Sequence, residues 1–258
     1  HYLAYVPVRD GQAETEGDYS IDGVPGLGAR IALEFLDPGG STGGRLLPTG
    51  HTTDTLVLES GRRVTVSLVD AAAPMVFVLA EEMGASATEL PQDLDANHAL
   101  QELLEDIRAQ AAVQLGMAAS VAQAREKIKA FPKIAMVVLL TARRPPRATP
   151  IGADQVDLVS RMISMGKTHR TFAGTSSMCL AVAAAIPGTV VHAVTRQAVP
   201  DRVRIGHPAG IMEVGAKVCP EGDDWRVASV TTQRTARRIM DGFIYVPQSY
   251  LQGKPWFA

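Results

Sequence analysis

Hydrophobic and polar positions divide the chain into a strand-rich first part and a mixed second part. Residues 1–60 are dense in Gly, Pro and Asp, and their apolar runs are short, as at 31–36 and 55–58. This pattern is typical of strands and turns with little helix. Alternation over residues 2–8 predicts a strand that is already under way, so we expect the natural chain to begin upstream.

Beyond residue 60 the pattern changes to strands that alternate with helices. Residues 64–69 alternate with a period of two and residues 74–80 form a continuous apolar run, which predicts two adjacent strands. Apolar residues from Leu100 to Ala111 recur with helical spacing, and Ser120 begins a second helix as its N-cap. Further strands are predicted at 134–140, 157–165, 189–194, 202–205, 211–214, 225–230 and 242–246.

The stretch 171–189 carries the strongest functional pattern. A glycine and three hydroxyl residues precede an alanine-rich run; they are Gly174, Thr175, Ser176 and Ser177. The pattern predicts a buried helix near 175–187 with a hydroxyl N-cap. Its first turn is also a candidate anion site, because unpaired N–H groups and the helix dipole favour negative charge there. On this stretch alone, an ordinary N-cap is the simpler of the two interpretations.

A second polar group lies just before this helix and consists of Ser164, Lys167, His169 and Arg170. The strand at 157–165 would deliver these side chains to the mouth of the helix, where a cation suits a ligand with more than one carboxylate. The alternative is that Lys167 and Arg170 are ordinary solvated side chains and His169 is a hydrogen-bonded structural residue. His207, which lies between a glycine and a proline, is interpreted as a turn residue.

Composition limits the functional class. The 258 residues are 46% hydrophobic and 20% charged, with a formal net charge of -2 and scattered Lys and Arg. A nucleic-acid partner is therefore not expected, and no apolar run or leader indicates a membrane protein. Cys179 in the predicted helix and Cys219 at a strand end form no motif, which favours a reducing, cytoplasmic location. No metal-ligand spacing, nucleotide fingerprint or catalytic-serine elbow is present in the sequence.

Seven motifs in order resemble the PrpF family, whose members include 2-methylaconitate cis-trans isomerases, aconitate isomerases and 4-oxalomesaconate tautomerases. The motifs lie at 21–26, 35–50, 70–74, 165–169, 183–190, 205–210 and 234–242. The resemblance implies an α+β fold like that of diaminopimelate epimerase, in which two pseudo-symmetric lobes each curl a β-sheet around a central helix. The expected division is 1–60 as the remainder of an incomplete first lobe, 61–233 as the second lobe, and 234–258 as a return segment packing on the first lobe.

The resemblance also implies a reaction that needs neither cofactor nor metal. An isomerase of this family would move or rotate a double bond in an unsaturated tricarboxylate, 2-methylaconitate or aconitate, by removing and returning a proton. The family's acid and base match no position here and are expected upstream, so the 258 residues alone are expected to be inactive and poorly soluble. Carboxylate binding is assigned to Gly174, Thr175, Ser176 and Ser177, with Ser164, Lys167 and His169 as secondary contacts.

The expected partner is a small di- or tricarboxylate, with a homodimer as one option for assembly. Two alternatives stay open, a 4-oxalomesaconate-type keto-enol tautomerase and a non-catalytic carboxylate-binding lobe. Departures from the family pattern bear on the substrate. Leu27 and Arg30 stand where the family usually has Thr and Pro, Ala73 stands where Asn is usual, and Ser176 and Ser177 replace a Gly-Ala pair.

Overall fold

A computed structural model describes residues 1–140, 151–196, 202–222 and 224–247. Within these residues the strands are β1 Tyr2–Tyr5, β2 Val8–Arg9, β3 Gln12–Ala13, β4 Tyr19–Ile21, β5 Val24–Gly28, β6 Ile31–Leu36, β7 Asp54–Val57, β8 Arg63–Ala71, β9 Ala73–Leu79, β10 Lys133–Val138, β11 Leu158–Ser164, β12 Lys167–Thr168, β13 Arg202–His207, β14 Gly210–Glu221 and β15 Asp224–Arg234. The α-helices are α1 Pro91–Ala96, α2 His98–Gln114, α3 Val121–Lys127, α4 Gly174–Ala185 and α5 Val190–Ala193, and Glu81–Met83 form a 3-10 turn.

One large mixed sheet organises the fold. Its strands follow the order β1-β6-β15-β14-β13-β11-β10-β9-β8-β7, and β12 pairs with β11 at the side of this path. The pairs β9–β10 and β11–β13 are parallel, and the other pairs in this sheet are antiparallel. The predicted α+β class is confirmed at this level, as a large mixed sheet with helices.

Helix α4 packs against one face of this sheet. Its residues from Ser176 to Ala184 are all buried, as expected for a helix that is apolar on every side. Its side chains share one core with inward-facing residues of the surrounding strands, such as Val69, Leu158 and Ile205. The sequence predicts a helix near 175–187, and the structure has it at Gly174–Ala185.

The opposite face of the sheet is covered by α2. Leu100, Leu104 and Ile107 pack with alternate residues of β7 to β11, such as Leu68 and Val76. Strands in the middle of the sheet are therefore buried on both faces, which explains why 74–79 is apolar without interruption. The predicted pair of adjacent strands is confirmed, because β8 and β9 form an antiparallel hairpin that pairs from Ser67–Phe77 to Ala71–Ala73.

One predicted strand, at 189–194, is wrong, because its centre forms the short helix α5. Thr189 caps this helix, since its Oγ1 accepts from the His192 N–H at 3.0 Å and donates to the Ala183 carbonyl at 2.7 Å. Val190 and Val191 enter the α4 core. Capping and burial of these valines outweigh the preference of β-branched residues for strands.

The prediction of a strand at 242–246 is also wrong. Residues 235–247 have no regular structure, and Phe243 and Tyr245 are 98% and 99% exposed. A strand is stabilised by the ladder it forms with a neighbour, and no strand of the described chain pairs with this segment. The predicted proline-rich loop at 143–150 lies outside the described residues.

The predicted division into lobes is not tested by these elements and stays a prediction. Its boundary near residues 60 and 61 falls in the turn between β7 and β8, where the Gly61 N–H donates to the Leu58 carbonyl at 2.9 Å.

Candidate functional site

The first turn of α4 exposes backbone donors. Ala173 is the N-cap residue and no side chain caps the helix, so the predicted hydroxyl N-cap is wrong. The Ser177 N–H donates to the Ala173 carbonyl at 2.8 Å. The N–H groups of Gly174, Thr175 and Ser176 have no acceptor within the described residues. These unpaired donors are the groups with which a helix N-terminus binds an anion.

The three hydroxyl residues of this turn differ in environment. Thr175 is exposed. The Ser177 Oγ donates back to the Gly174 carbonyl at 2.8 Å, so this hydroxyl is satisfied within the helix. Ser176 is fully buried, and its Oγ has no hydrogen-bond partner in the described part of the chain. A buried hydroxyl without a partner is unfavourable by about 1–3 kcal/mol, so this oxygen is the strongest sign of a missing ligand in the turn.

Arg234, at the end of β15, brings a positive charge to the same turn. A Cβ atom added to Gly174 would lie 2.7 Å from the Arg234 Nη2, so the glycine leaves the space that the guanidinium occupies. The guanidinium donates to the Thr232 Oγ1 at 3.0 Å and to the Gln233 carbonyl at 2.6 Å. Among the described residues it pairs with no carboxylate, and the first turn of α4 contains no acidic residue. A cation beside the positive end of a helix favours an anion between them.

The hairpin of β4 and β5 closes over this edge of the sheet. The Asp22 Oδ2 accepts from the Ile211 N–H at 2.6 Å. A Cβ added to Gly23 would lie 3.0 Å from the Ala209 Cβ and 3.1 Å from the Thr171 Cγ2. The turn after β13 and the segment that leads into α4 therefore both pack close to this glycine.

His207 is the last residue of β13 and leads directly into the predicted turn, which the structure has at 208–209. It is 2% exposed, its Nδ1 accepts from the Ala209 N–H at 3.2 Å, and its Nε2 has no partner in the described structure. Burial lowers the pKa of His207 to about 4, while the negative charge of Asp22 acts in the opposite direction. The imidazole is therefore neutral at pH 7.

The secondary residues proposed from the sequence lie before α4, but they do not contact its first turn. Ser164 and Lys167 face each other across the β11–β12 ladder, and neither makes a hydrogen bond or ion pair with the first turn of α4 in the described chain. The His169 Nδ1 accepts from the Thr171 N–H at 3.2 Å. This bond agrees with the interpretation of His169 as a hydrogen-bonded structural residue. The ligand roles of Ser164, Lys167 and His169 stay predictions.

Arg170 has a partner of its own. Its Nη2 lies 3.0 Å from the Asp95 Oδ2 of α1, and the Asp95 Oδ1 accepts from the Thr168 N–H at 2.8 Å. Burial alone would raise the pKa of Asp95, but the Thr168 N–H and the nearby cations Arg170 and Lys167 hold that pKa below its usual value. The positive charge of Arg170 is thus directed at α1 rather than at α4.

Cys179 is not a nucleophile in this environment. It is fully buried, and its Sγ donates to the Val69 carbonyl at 3.3 Å. Burial raises the pKa of this thiol well above its ordinary value. Because the thiolate is the reactive form of cysteine, the Cys179 thiol is inert in this environment.

Three cavities of the described surface lie away from α4. They measure about 330 Å³ beside Gln101 and Met165, about 260 Å³ beside Arg45 and Trp225, and about 550 Å³ along residues 9–16. None of the three includes the first turn of α4. The candidate site therefore rests on unpaired polar groups rather than on a cavity.

The described residues contain neither a metal cluster nor a membrane-spanning helix. No group of three or more His, Cys, Asp or Glu side chains is arranged to hold a metal ion there. No helix among them is both long and apolar enough to cross a membrane.

Sequence reasoning missed the part played by His207 and Arg234. Both residues end strands that point to one edge of the sheet, because β13 and β15 each run antiparallel to β14. The available signal was a polar residue directly after an apolar strand, at 203–207 and at 227–234. It was weak, since the sequence does not reveal which strands are neighbours.

Comparison with known proteins shows which protein family the sequence matches. Residues 2–247 match the family model described as PrpF protein. The chain is 42% identical over 255 residues to the 3-methylitaconate isomerase of Eubacterium barkeri, and the alignment covers 96% of this chain and 64% of that protein. It is 34% identical over 249 residues to the 2-methyl-aconitate isomerase of Shewanella oneidensis, with coverage of 95% and 62%.

A solved structure agrees with the fold. The crystal structure of methylitaconate-delta-isomerase superposes with a TM-score of 0.83 at 41% sequence identity, over 100% of this chain and 66% of that one. The chain thus spans a little under two thirds of the length of these relatives.

Proposed function

Because the chain belongs to the PrpF family, we propose that it forms the carboxylate-binding part of an isomerase that needs no cofactor. The substrate would be an unsaturated di- or tricarboxylate whose double bond is moved or rotated by removal and return of a proton. Similarity to 3-methylitaconate and 2-methyl-aconitate isomerases supports this substrate class. The two-lobed arrangement implied by the family resemblance belongs to the same proposal.

The buried, unpartnered Ser176 Oγ is the observation that carries the proposal. Three free N–H groups precede it in the same helical turn, and the Arg234 guanidinium lies against Gly174. A carboxylate placed there would accept hydrogen bonds from the backbone and from the serine, and would face the positive charge of the arginine. Each of these groups otherwise lacks an anionic partner among the described residues.

The same donors suit the chemistry of the proposed reaction. Removal of a proton next to a conjugated carboxylate spreads negative charge into that carboxylate, which gives a dienolate-like anion. Fixed N–H and O–H donors stabilise this charge without having to reorganise during the reaction. The helix would therefore bind the substrate and also lower the barrier to proton removal. Groups that accept and return the proton are not assigned to this chain, since Cys179 is inert and Asp95, the carboxylate near Lys167, is paired with Arg170.

A pair of adjacent serines tests the proposal. Ser176→Ala removes the unpartnered hydroxyl, whereas the matched control Ser177→Ala removes one that already bonds to the Gly174 carbonyl. Binding of tricarballylate, a tricarboxylate that has no double bond to isomerise, is measured by calorimetry for both variants. We expect Ser176→Ala to weaken binding roughly tenfold or more, because hydrogen bonds to charged groups contribute about 1.5–3 kcal/mol.

The stability of the two variants should change in the opposite order. Ser177→Ala should lose about 1 kcal/mol of unfolding free energy with its hydrogen bond, whereas Ser176→Ala should lose none and gain up to about 1–3 kcal/mol, because it removes a buried hydroxyl that has no partner in the described structure. If tricarballylate binds both variants with the affinity of the original chain, the first turn of α4 is not the carboxylate site.

A further inference from the structure

His207 lies on the side of the sheet that faces α4. Side chains alternate along β13, so His207 points the same way as Val203 and Ile205, which pack in the α4 core. Gly206 confirms this direction, because a Cβ added there would point the other way and meet the Val159 side chain at 2.9 Å. The imidazole therefore extends from the strand end toward the region in which α4 begins.

The approach to α4 is short. A Cβ atom added to Gly23 would lie 3.0 Å from the Ala209 Cβ and 3.1 Å from the Thr171 Cγ2. Ala209 is two residues after His207, and Thr171 is three residues before α4. The turn after β13 and the entry to α4 therefore lie close together. His207 and the free donors of the helix lie around the same edge of the sheet.

The hydrogen bonds of the imidazole fix its tautomer. Nδ1 accepts from the Ala209 N–H, so in the neutral ring the proton resides on Nε2. That Nε2–H is a buried donor with no acceptor in the described residues. A donor left in this state is costly unless something absent from the chain accepts from it. The His207 Nε2–H is therefore a buried donor that is available to bind an acceptor on a ligand.

The charged and titratable groups that act on His207 come from three elements. Asp22 lies on the β4–β5 turn, Arg161 on β11 and His169 just after β12, and the first favours protonation of His207 while the other two oppose it. Burial, together with Arg161 and His169, outweighs the effect of Asp22 and keeps the ring neutral. A neutral Nε2–H can donate to a carboxylate without the desolvation cost of a buried cation.

We propose that the His207 Nε2–H donates a hydrogen bond to the substrate carboxylate held at the first turn of α4. His207 then acts as a binding and charge-stabilising residue, which remains neutral while negative charge develops on the substrate. This inference rests on the proposed function, since it assumes that a carboxylate occupies that turn. It adds a fixed donor from the sheet to the donors of the helix.

Two substitutions separate the roles of the ring nitrogens. His207→Asn keeps a polar atom near the position of Nδ1, where it can still accept from the Ala209 N–H, but it lacks a donor at the position of Nε2. His207→Gln places an amide N–H near the position of Nε2. Tricarballylate affinity should fall roughly ten- to hundredfold in the Asn variant and stay within about threefold in the Gln variant, since a hydrogen bond to a charged group is lost only in the former.

Nitrogen NMR of the unmodified chain gives a readout that does not depend on any variant. The two ring nitrogens of His207 should show the Nε2–H tautomer between pH 5.5 and 8, and the Nε2 proton should shift downfield when tricarballylate is added. A purely structural histidine would keep the same shift with and without the ligand.

The outcomes distinguish this inference from the proposal on which it rests. If the unmodified chain does not bind tricarballylate, the proposed carboxylate site itself is wrong. If the chain binds it but the Nε2 proton does not move, or His207→Asn binds as tightly as His207→Gln, then His207 does not contact the ligand and the inference is overturned while the helix site stands.

Discussion

The carboxylate of Asp70 organises the glycine-rich loop at 39–44, and its removal provides a quantitative test of the structure. Asp70 is 1% exposed and lies near the end of β8. It accepts from the Thr42 N–H at 2.6 Å, from the Gly43 N–H at 3.1 Å and from the Ser41 hydroxyl. We predict that Asp70→Asn destabilises the chain, because an amide has one acceptor oxygen and turns an NH₂ group toward one of these donors.

The magnitude follows from the number of charge-assisted bonds. Each contributes about 1.5–3 kcal/mol, and the amide oxygen retains part of that sum. We therefore expect a loss of about 2–4 kcal/mol in the free energy of unfolding, measured by urea titration with circular dichroism. A loss of this size is a large fraction of the stability of an ordinary domain.

Asp54→Asn is the matched control. Asp54 is half-buried and accepts one recorded side-chain hydrogen bond, from the Thr49 hydroxyl at 2.8 Å, which an amide oxygen can also accept. We expect this control to lose about 0.5 kcal/mol or less, in the range of a neutral hydrogen bond. Similar losses for the two variants would mean that the loop does not depend on Asp70, and the interpretation of its three bonds would be wrong.

Two further predictions concern titratable groups. In the folded chain, Ellman's reagent should modify the exposed Cys219 rapidly and the buried Cys179 only after denaturation, because burial raises the pKa of that thiol; prompt modification of both thiols would contradict the packing of α4. The His207 pKa of about 4 lies below the value near 6.5 of an unfolded chain, so the unfolded state binds the proton first as the pH falls. Its contribution to stability is complete above pH 6.5 and decreases by up to about 3 kcal/mol toward pH 4. Urea titrations of the chain and of His207→Gln should therefore differ in pH dependence within this window, and parallel curves would show that His207 is not a buried neutral residue.

The sequence alone determined most of the elements and their order. Alternation and continuous apolar runs located the strands at 64–69, 74–80 and 134–140, because a sheet buried on both faces leaves no polar positions there. Helix α4 was evident from its alanine-rich composition and the proline that follows it. Its function as a candidate anion site followed from general properties of helix termini, and the family resemblance followed from motifs in order.

Other features were decided only by tertiary contacts. Val190 and Val191 favour a strand locally, but the Thr189 cap and the α4 core make their segment helical. Residues 242–246 have a strand pattern, yet strand formation needs a neighbour, and no sequence pattern names one. Local preference is a weak term, of a few tenths of a kcal/mol per residue, so contacts distant in sequence override it.

In the candidate site, too, the sequence determined some features and tertiary contacts determined others. The sequence identified Gly174, Thr175, Ser176 and Ser177 as one group. It could not tell that the Ser177 hydroxyl bonds within the helix, that Thr175 is exposed, or that the Ser176 hydroxyl is buried without a partner among the described residues. Arg234 reaches Gly174 from 60 positions further along the chain, and His207 lies on the α4 side because β13 pairs with β11 and β14. Hydrogen-bond satisfaction depends on which atoms meet in space, and sheet order, which the sequence pattern does not encode, determines which atoms meet.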